Sequence, residues 1–210
     1  MRRMTPAIAS GFKPSTKGEE TRSAILSAAV EQASNGGFES LTIGSLAEKT
    51  GMSKSGLFAH FGSKLDLQIA ALDEAARQFT EAVFMPALKA PRGLKRFRAL
   101  IDNWISWPHR ASLPGGCPID AASREYQHQP GPMRDAVVER QKSLDRELAK
   151  AVQMAIDTGE LKADTDPRQV SFDTLGIILA FNRVELLFGT VEATQRARNA
   201  FDRLIQQHRA

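Results

Sequence analysis

The stretch 42–61 reads TIGSLAEKTGMSKSGLFAHF and concentrates the residues whose types and spacing could do chemistry. Thr42 and Ser53 carry side-chain oxygens of the kind that cap helix starts. Gly51 lies between them and breaks the chain. The pattern predicts two short helices, Ile43 to Thr50 and Lys54 to about His60. Ile43, Leu46, Ala47, Met52 and Leu57 are spaced to hold the pair together. Lys54, Ser55, Gly56, Ala59 and His60 are then left facing outward. Small residues at 55, 56 and 59 give the second helix a slim profile, so it can enter a DNA major groove with its N-terminus first. Its leading N–H groups also favour a phosphate oxygen. Two short helices joined by a glycine-containing turn have the layout of a helix-turn-helix.

Cys117 is the second residue with chemical potential. It follows two glycines and precedes a helix expected from Pro118-Ile119. A thiol at a helix N-terminus can ionise early and sense oxidants or electrophiles. The alternative is a small buried apolar group near a pocket. As the chain's one cysteine it cannot form an intrachain disulfide. The four histidines, His60, His109, His128 and His208, are scattered, and the one Cys-His pairing in view is Cys117 with His128. There is no glycine-rich phosphate loop, no HExxH and no cluster with metal-ligand spacing. The chain therefore reads as a binding protein rather than an enzyme, with no cofactor implied.

The elements that must position these residues read as helices throughout. Residues 1–18 hold Pro6, Gly11, Pro14 and Gly18 without periodicity and are expected to form an irregular arm. A helix is expected from Glu19 and ends at Asn35-Gly36-Gly37. After the paired helices, Gly62-Ser63 precedes a long helix from Lys64 to about Phe84. Its apolar positions Leu65, Ile69, Leu72, Ala76, Phe79 and Val83 step by three or four. Pro91 is expected as the first residue of a further helix that stops before Pro108. A short helix covers Ile119 to Tyr126, and a long one Met133 to about Thr158. Asp166 caps another, with Pro167 at its first position, running to Phe188. A last helix spans Glu192 to about His208. No strand pattern is visible, so the fold class is all-α, with a domain at 19–64 and a larger one at 65–210.

The chain has 210 residues, 42% apolar and 25% charged, enough to bury a core. No apolar run approaches the ~18–20 residues of a membrane span. The longest candidate is Leu175 to Phe181, and no signal segment is apparent. A cytoplasmic protein with no membrane partner is expected. The net charge is +4 and the pI about 9.4, which permits nucleic-acid binding. Residues 1–64 carry eight Lys or Arg against five Glu. The arm residues Arg2, Arg3, Lys13 and Lys17 could reach a minor groove.

From Glu19 through NGGFESLTIGSLAEKTGMS and KSGLFAHF to the GSK at 62–64, the chain closely resembles the TetR family of bacterial transcriptional regulators. The GGCP loop at 115–118 and the Gly159-Glu160-Leu161 and Asp166-Pro167 pairings also resemble features of that family. The resemblance implies an N-terminal DNA-binding domain and a larger helical domain for dimerisation and ligand binding. It implies a homodimer on a palindromic operator of double-stranded DNA, acting as a repressor released by a small-molecule effector. It further implies that Thr42, Lys54, Ser55, Gly56, Phe58, His60 and Lys64 form the DNA-binding set, with His60 and Lys64 clamping phosphates. Two positions depart from the family pattern. Phe58 stands where a tyrosine usually contacts phosphate, and Gly44 where some members carry a base-reading arginine.

Two further sets complete the reading. The LGIILAF run is apolar all round and must be covered on every side. The resemblance implies that this helix and the last one pair with their copies in a four-helix dimer interface through Phe172, Leu175, Leu179, Leu186, Ala197, Phe201 and Leu204; the alternative is a buried core helix in a monomer. The ligand pocket is assigned to Trp104, Trp107, Cys117, Tyr126 and Phe181, all of which simple core packing would explain equally well. An alternative trigger is modification of Cys117 itself.

Overall fold

The computed structural model describes residues 17–210. Nine helical rods make up the described chain: α1 (Lys17–Gly36), α2 (Ile43–Thr50), α3 (Lys54–His60), α4 (Lys64–Phe79), α5 (Leu94–Arg110), α6 (Pro118–Tyr126), α7 (Pro132–Asp157), α8 (Pro167–Phe188) and α9 (Thr190–His208). The rod begun by α4 continues through a π-helical turn, Thr80–Phe84, and a last short stretch, Met85–Ala87. The one β feature among the described residues is an isolated bridge between Leu161 and Arg209.

Three expectations need correction. First, α1 starts at Lys17, so Lys17 and Gly18 belong to the helix, while the arm residues 1–16, including Arg2, Arg3 and Lys13, lie outside the described residues. Second, Pro91 does not open α5. Gly93 caps that helix with φ 100°, and the Glu160 carboxylate accepts the Leu94 N–H at 2.7 Å. A distant carboxylate has taken the place of a local cap. Third, α5 runs through Pro108 to Arg110. A proline near a helix end forfeits one hydrogen bond, and here Pro108 and its neighbour Trp107 are buried, so packing outweighs that loss.

A head and a body share one continuous core. In the head, Ile25, Ala29 and Ala33 of α1 meet Phe38, Leu41, Leu46, Leu57 and Leu67, all fully enclosed. The body centres on Phe79, which sits edge-to-face against Phe84, Trp104 and Trp107 at 5.7, 5.0 and 5.1 Å between ring centroids. That geometry matches the positive ring edge to the negative ring face. Phe97 of α5 meets Phe201 of α9 in the same way at 5.2 Å. α8 and α9 lie side by side, and α7 covers α8. α6 packs against α1 and α4 as well as α7, so it belongs to both halves.

Candidate DNA interface and the cavity behind it

Local hydrogen bonds build the paired helices. Thr42 Oγ1 accepts the Ser45 N–H at 3.0 Å, and Ser45 Oγ accepts the Thr42 N–H at 3.2 Å, a reciprocal capping box. Gln32 of α1 donates to Ser45 Oγ at 3.0 Å and to the Ser40 carbonyl at 3.1 Å, which fixes α2 on α1. Gly51 takes the left-handed conformation, φ 67°, that turns the chain from α2 towards α3. Ser53 Oγ then accepts the Gly56 N–H at 3.1 Å and caps α3. Leu57 is the buried anchor of α3. Thr42, Lys54, Ser55, Phe58 and Ala59 are exposed, and Gly56 and His60 are half-buried.

Two details refine this surface. Phe58 is not a core residue: it is 53% exposed on α3. The Lys54 side chain lies over Gly44, with Cε 3.7 Å from where a Gly44 Cβ would stand. A Cβ at 44 would meet the lysine in ordinary van der Waals contact. Sequence reasoning missed Arg22, whose guanidinium stacks over Phe61 at 4.5 Å, directly after α3. A lone arginine on an early helix turn carries no signal of that contact.

Lys64 is already occupied. Its ammonium donates to the Glu39 carboxylate at 2.8 Å and to the Glu39 carbonyl at 2.9 Å. Tyr126 Oη donates to the other oxygen of Glu39 at 2.9 Å. The Lys64 ammonium first, and the Tyr126 hydroxyl second, hold the Glu39 carboxyl below its ordinary value. Burial and the adjoining Glu39 push the Tyr126 phenol upward, so it remains a donor. Glu125 accepts the backbone N–H groups of Phe38 and Glu39 at 2.7 and 2.8 Å. The C-terminal end of α6 thus grips the turn between α1 and α2.

The loop before α6 makes a second junction. Ser34 Oγ donates to the Gly116 carbonyl at 2.8 Å and accepts the Gly115 N–H at 3.2 Å. A Cβ on Gly115 would stand 1.7 Å from the Ser34 carbonyl oxygen, so only glycine fits.

The N-terminal end of α6 walls a half-open cavity of about 260 Å³, lined also by α4, its π turn, α5, α7 and α8. Phe79, Phe84, Trp104, Leu144 and Ile178 give it an apolar lining, and Cys117, Ile119 and Asp120 close the α6 side. A π turn commonly marks a functional position on a helix, and here Thr80 and Phe84 from that turn are wall residues. Of the pocket residues read from sequence, Trp104 and Cys117 line this space. Trp107 is buried on another side of α5, Tyr126 is bonded to Glu39, and Phe181 is enclosed in the core. Burial pushes the Cys117 thiol up to about 12, the opposite of the shift a sensor thiolate needs.

The proposed interface residues divide. Phe172, Leu179 and Leu186 are exposed on α8 at seven-residue spacing, joined by Leu187, Phe188 and Val191. Leu175 is half-buried and lines the cavity. Ala197, Phe201 and Leu204 are buried within their own chain, because that stripe of α9 faces α5 and α8. They offer no surface to a partner.

Comparisons with known proteins agree with this geometry. Residues 25–71 match the model of bacterial regulatory proteins of the tetR family, and residues 93–201 match the tetracyclin repressor-like C-terminal domain. No curated protein matches the chain in sequence. Among solved structures, a TetR-family transcriptional regulator from Cytophaga hutchinsonii is 18% identical with a TM-score of 0.80, covering 94% of this chain and 99% of that one. One from Chloroflexus aurantiacus is 25% identical with a TM-score of 0.75, over 90% and 94% of the two chains. AibR, solved with isovaleryl coenzyme A and operator DNA, is 23% identical with a TM-score of 0.69, over 88% and 98%. The paired helices, the helical body behind them and both domain matches establish that this chain belongs to the TetR family and is a helix-turn-helix, DNA-binding transcriptional regulator.

Proposed function

We propose that the protein is a cytoplasmic homodimeric repressor that holds a palindromic operator and releases it when a small molecule fills the cavity behind α6. The observation that carries this reading is the double attachment of α6. One end supplies cavity wall through Cys117, Ile119 and Asp120, and the other grips the head through Glu125 and Tyr126. The helix that joins them is nine residues long, a rise of about 13 Å from end to end. A ligand that shifts α6 must shift the turn carrying Phe38 and Glu39.

In the DNA-bound state, Lys54, Ser55 and Gly56 approach bases and backbone, while Thr42 and His60 contact phosphates. Phe58 lays its ring against a thymine methyl, a contact that needs no hydroxyl. Lys64 exchanges Glu39 for a phosphate. Occupancy of the cavity favours the state in which Lys64 stays with Glu39 and the two recognition helices lose the ~34–36 Å spacing of successive major grooves. The partner copy packs on the exposed α8 stripe of Phe172, Leu179 and Leu186, with head 19–64 and body 65–210 in each chain. AibR, of the same fold, was solved in complex with isovaleryl coenzyme A and operator DNA, which supports pairing ligand and DNA binding here. The shielded Cys117 thiol favours ligand occupancy over thiol modification as the trigger.

Selection of bound duplexes from a random library at about 150 mM salt tests this directly, because non-specific phosphate binding is weak there. Enrichment of one palindrome is expected. Enrichment of none, or of a sequence without two-fold symmetry, would overturn the dimeric operator reading.

A further inference from the structure

We infer that the cavity takes an organic cation: a ligand with an apolar body on the aromatic wall and a protonated amine at the corner where Asp120 of α6 faces Asn182 of α8. This deepens the effector reading above and rests on it for its regulatory meaning.

Burial sets Asp120 apart from the other charges of the wall. Three wall residues carry formal charge: Asp120, Arg140 and Glu147. Arg140 turns to Asp73, and Glu147 turns to Lys150 at 2.7 Å; neither partner is a wall residue. Both pairs are open to water, which screens them. The Asp120 side chain is only 14% exposed. Its cation, Arg124, stands at 3.4 Å one turn along α6, is 57% exposed and lies off the wall. Burial holds the Asp120 carboxyl above its usual range, against the opposing pull of Arg124 and Asn182. The partners within the chain therefore leave part of the cost of burying this charge unmet.

Asn182 supplies the second observation. It is a polar side chain, almost fully buried, on the cavity wall. Its amide donates to Asp120, and among the described residues its side chain has no other hydrogen-bond partner. The amide carbonyl is thus an acceptor without a donor, close to a carboxylate with lone pairs to spare. A protonated amine brings several donors and the compensating charge together, whereas a hydroxyl brings one donor and no charge. A ligand carboxylate placed there would meet like charge. Phe79, Phe84, Trp104 and Ile178 supply the apolar surface for the rest of the ligand.

Three probes separate these terms. They share a phenylbutyl body, end in an amine, an alcohol or a carboxylate, and are each titrated calorimetrically into the full chain near neutral pH. The amine should bind at least about tenfold more tightly than the alcohol or the carboxylate. Nuclear Overhauser contacts from its ring protons to the Trp104 and Ile178 side chains should place it in the cavity. In Asp120→Asn, which keeps the size of the side chain and removes its charge, the preference for amine over alcohol should fall about tenfold. That ratio isolates the charge, because a distorted cavity lowers both affinities together. The ranking of the three probes in the unmodified protein reads the same charge without any substitution, should the variant not fold. Alcohol or carboxylate bound as tightly as the amine, an unchanged ratio in Asp120→Asn, no ring contact with Trp104 or Ile178, or no binding of the amine up to about 10 mM would each overturn the inference. Operator affinity is measured separately. Selective amine binding that leaves operator affinity unchanged removes the effector role and leaves the ligand class standing.

Discussion

The head and the body solve the problem of fixing a surface in opposite ways. In the head, the caps of the paired helices are held by partners a few residues away: Thr42 by Ser45 and Gly56 by Ser53. The body is tied to the head by partners far along the chain. Ser34 meets Gly115 and Gly116, Phe38 meets Glu125, and Glu39 meets Tyr126, at separations of 81 to 87 residues. Short-range caps give a recognition surface that keeps its shape while the whole head moves. Long-range ties give a body whose cavity and head grip respond to one another. A regulator needs both: a rigid reader and a linked lever.

The largest expected effect on this contrast concerns the body's thiol. With its pKa pushed up to about 12, Cys117 should react with iodoacetamide on the order of a thousandfold more slowly than a free thiol near neutral pH, followed by mass spectrometry. Reaction at the free-thiol rate would show an open loop where the contrast requires a closed one. Next comes Gly115→Ala, which drives a methyl group into the Ser34 carbonyl. A loss of about 3 kcal/mol in urea unfolding is expected, the upper range of overpacking penalties. A loss under about 0.5 kcal/mol would mean that the junction between head and body yields easily.

Thr42→Ala strikes a local tie instead. It should cost about 1 kcal/mol in stability, the usual worth of such a cap. It should leave the slow reaction of the buried Cys117 thiol untouched. A faster reaction would dissolve the distinction between local and long-range fixation.

The smallest effect is electrostatic. Lys64 and Tyr126 hold Glu39 below its ordinary 4.5, so the stability this carboxylate contributes is present above that value. It is lost as pH falls through the lowered folded value. Both members of the Lys64–Glu39 pair are about half exposed, so the contribution is modest. The difference in melting temperature between the unmodified protein and Glu39→Gln should shrink as acid titrates the group away. A difference constant across that range would show that Glu39 acts through packing rather than charge.

The same contrast explains what could be read from residues alone. The helix-turn-helix was legible because capping oxygens, Gly51 and the apolar positions all lie within twenty residues and have fixed spacing. Phe172, Leu179 and Leu186 were legible as one face because sevens keep to one side of a helix. The Ala197, Phe201 and Leu204 stripe has equally regular spacing, yet it faces its own chain, since periodicity gives a face without giving its neighbour. Trp104 and Trp107 are one helical turn apart and both buried, but only Trp104 reaches the cavity. That distinction depends on how α5 is rotated against α4, which no local pattern encodes. Pro91 misled for a related reason: a carboxylate from Glu160, far along the chain, caps α5 in place of the local signal.

The central claim is that α6 carries the state of the cavity to the DNA-reading head. The most direct measurement is operator affinity with and without a saturating probe, a small molecule chosen because it raises the melting temperature of the full chain, for the unmodified protein and for Glu125→Ala, which cuts the two hydrogen bonds to the Phe38 and Glu39 N–H groups. The account predicts that the probe weakens operator binding of the unmodified protein by about tenfold or more, and that of Glu125→Ala by less than about twofold, with probe affinity equal in both. Equal weakening in the two proteins would contradict it.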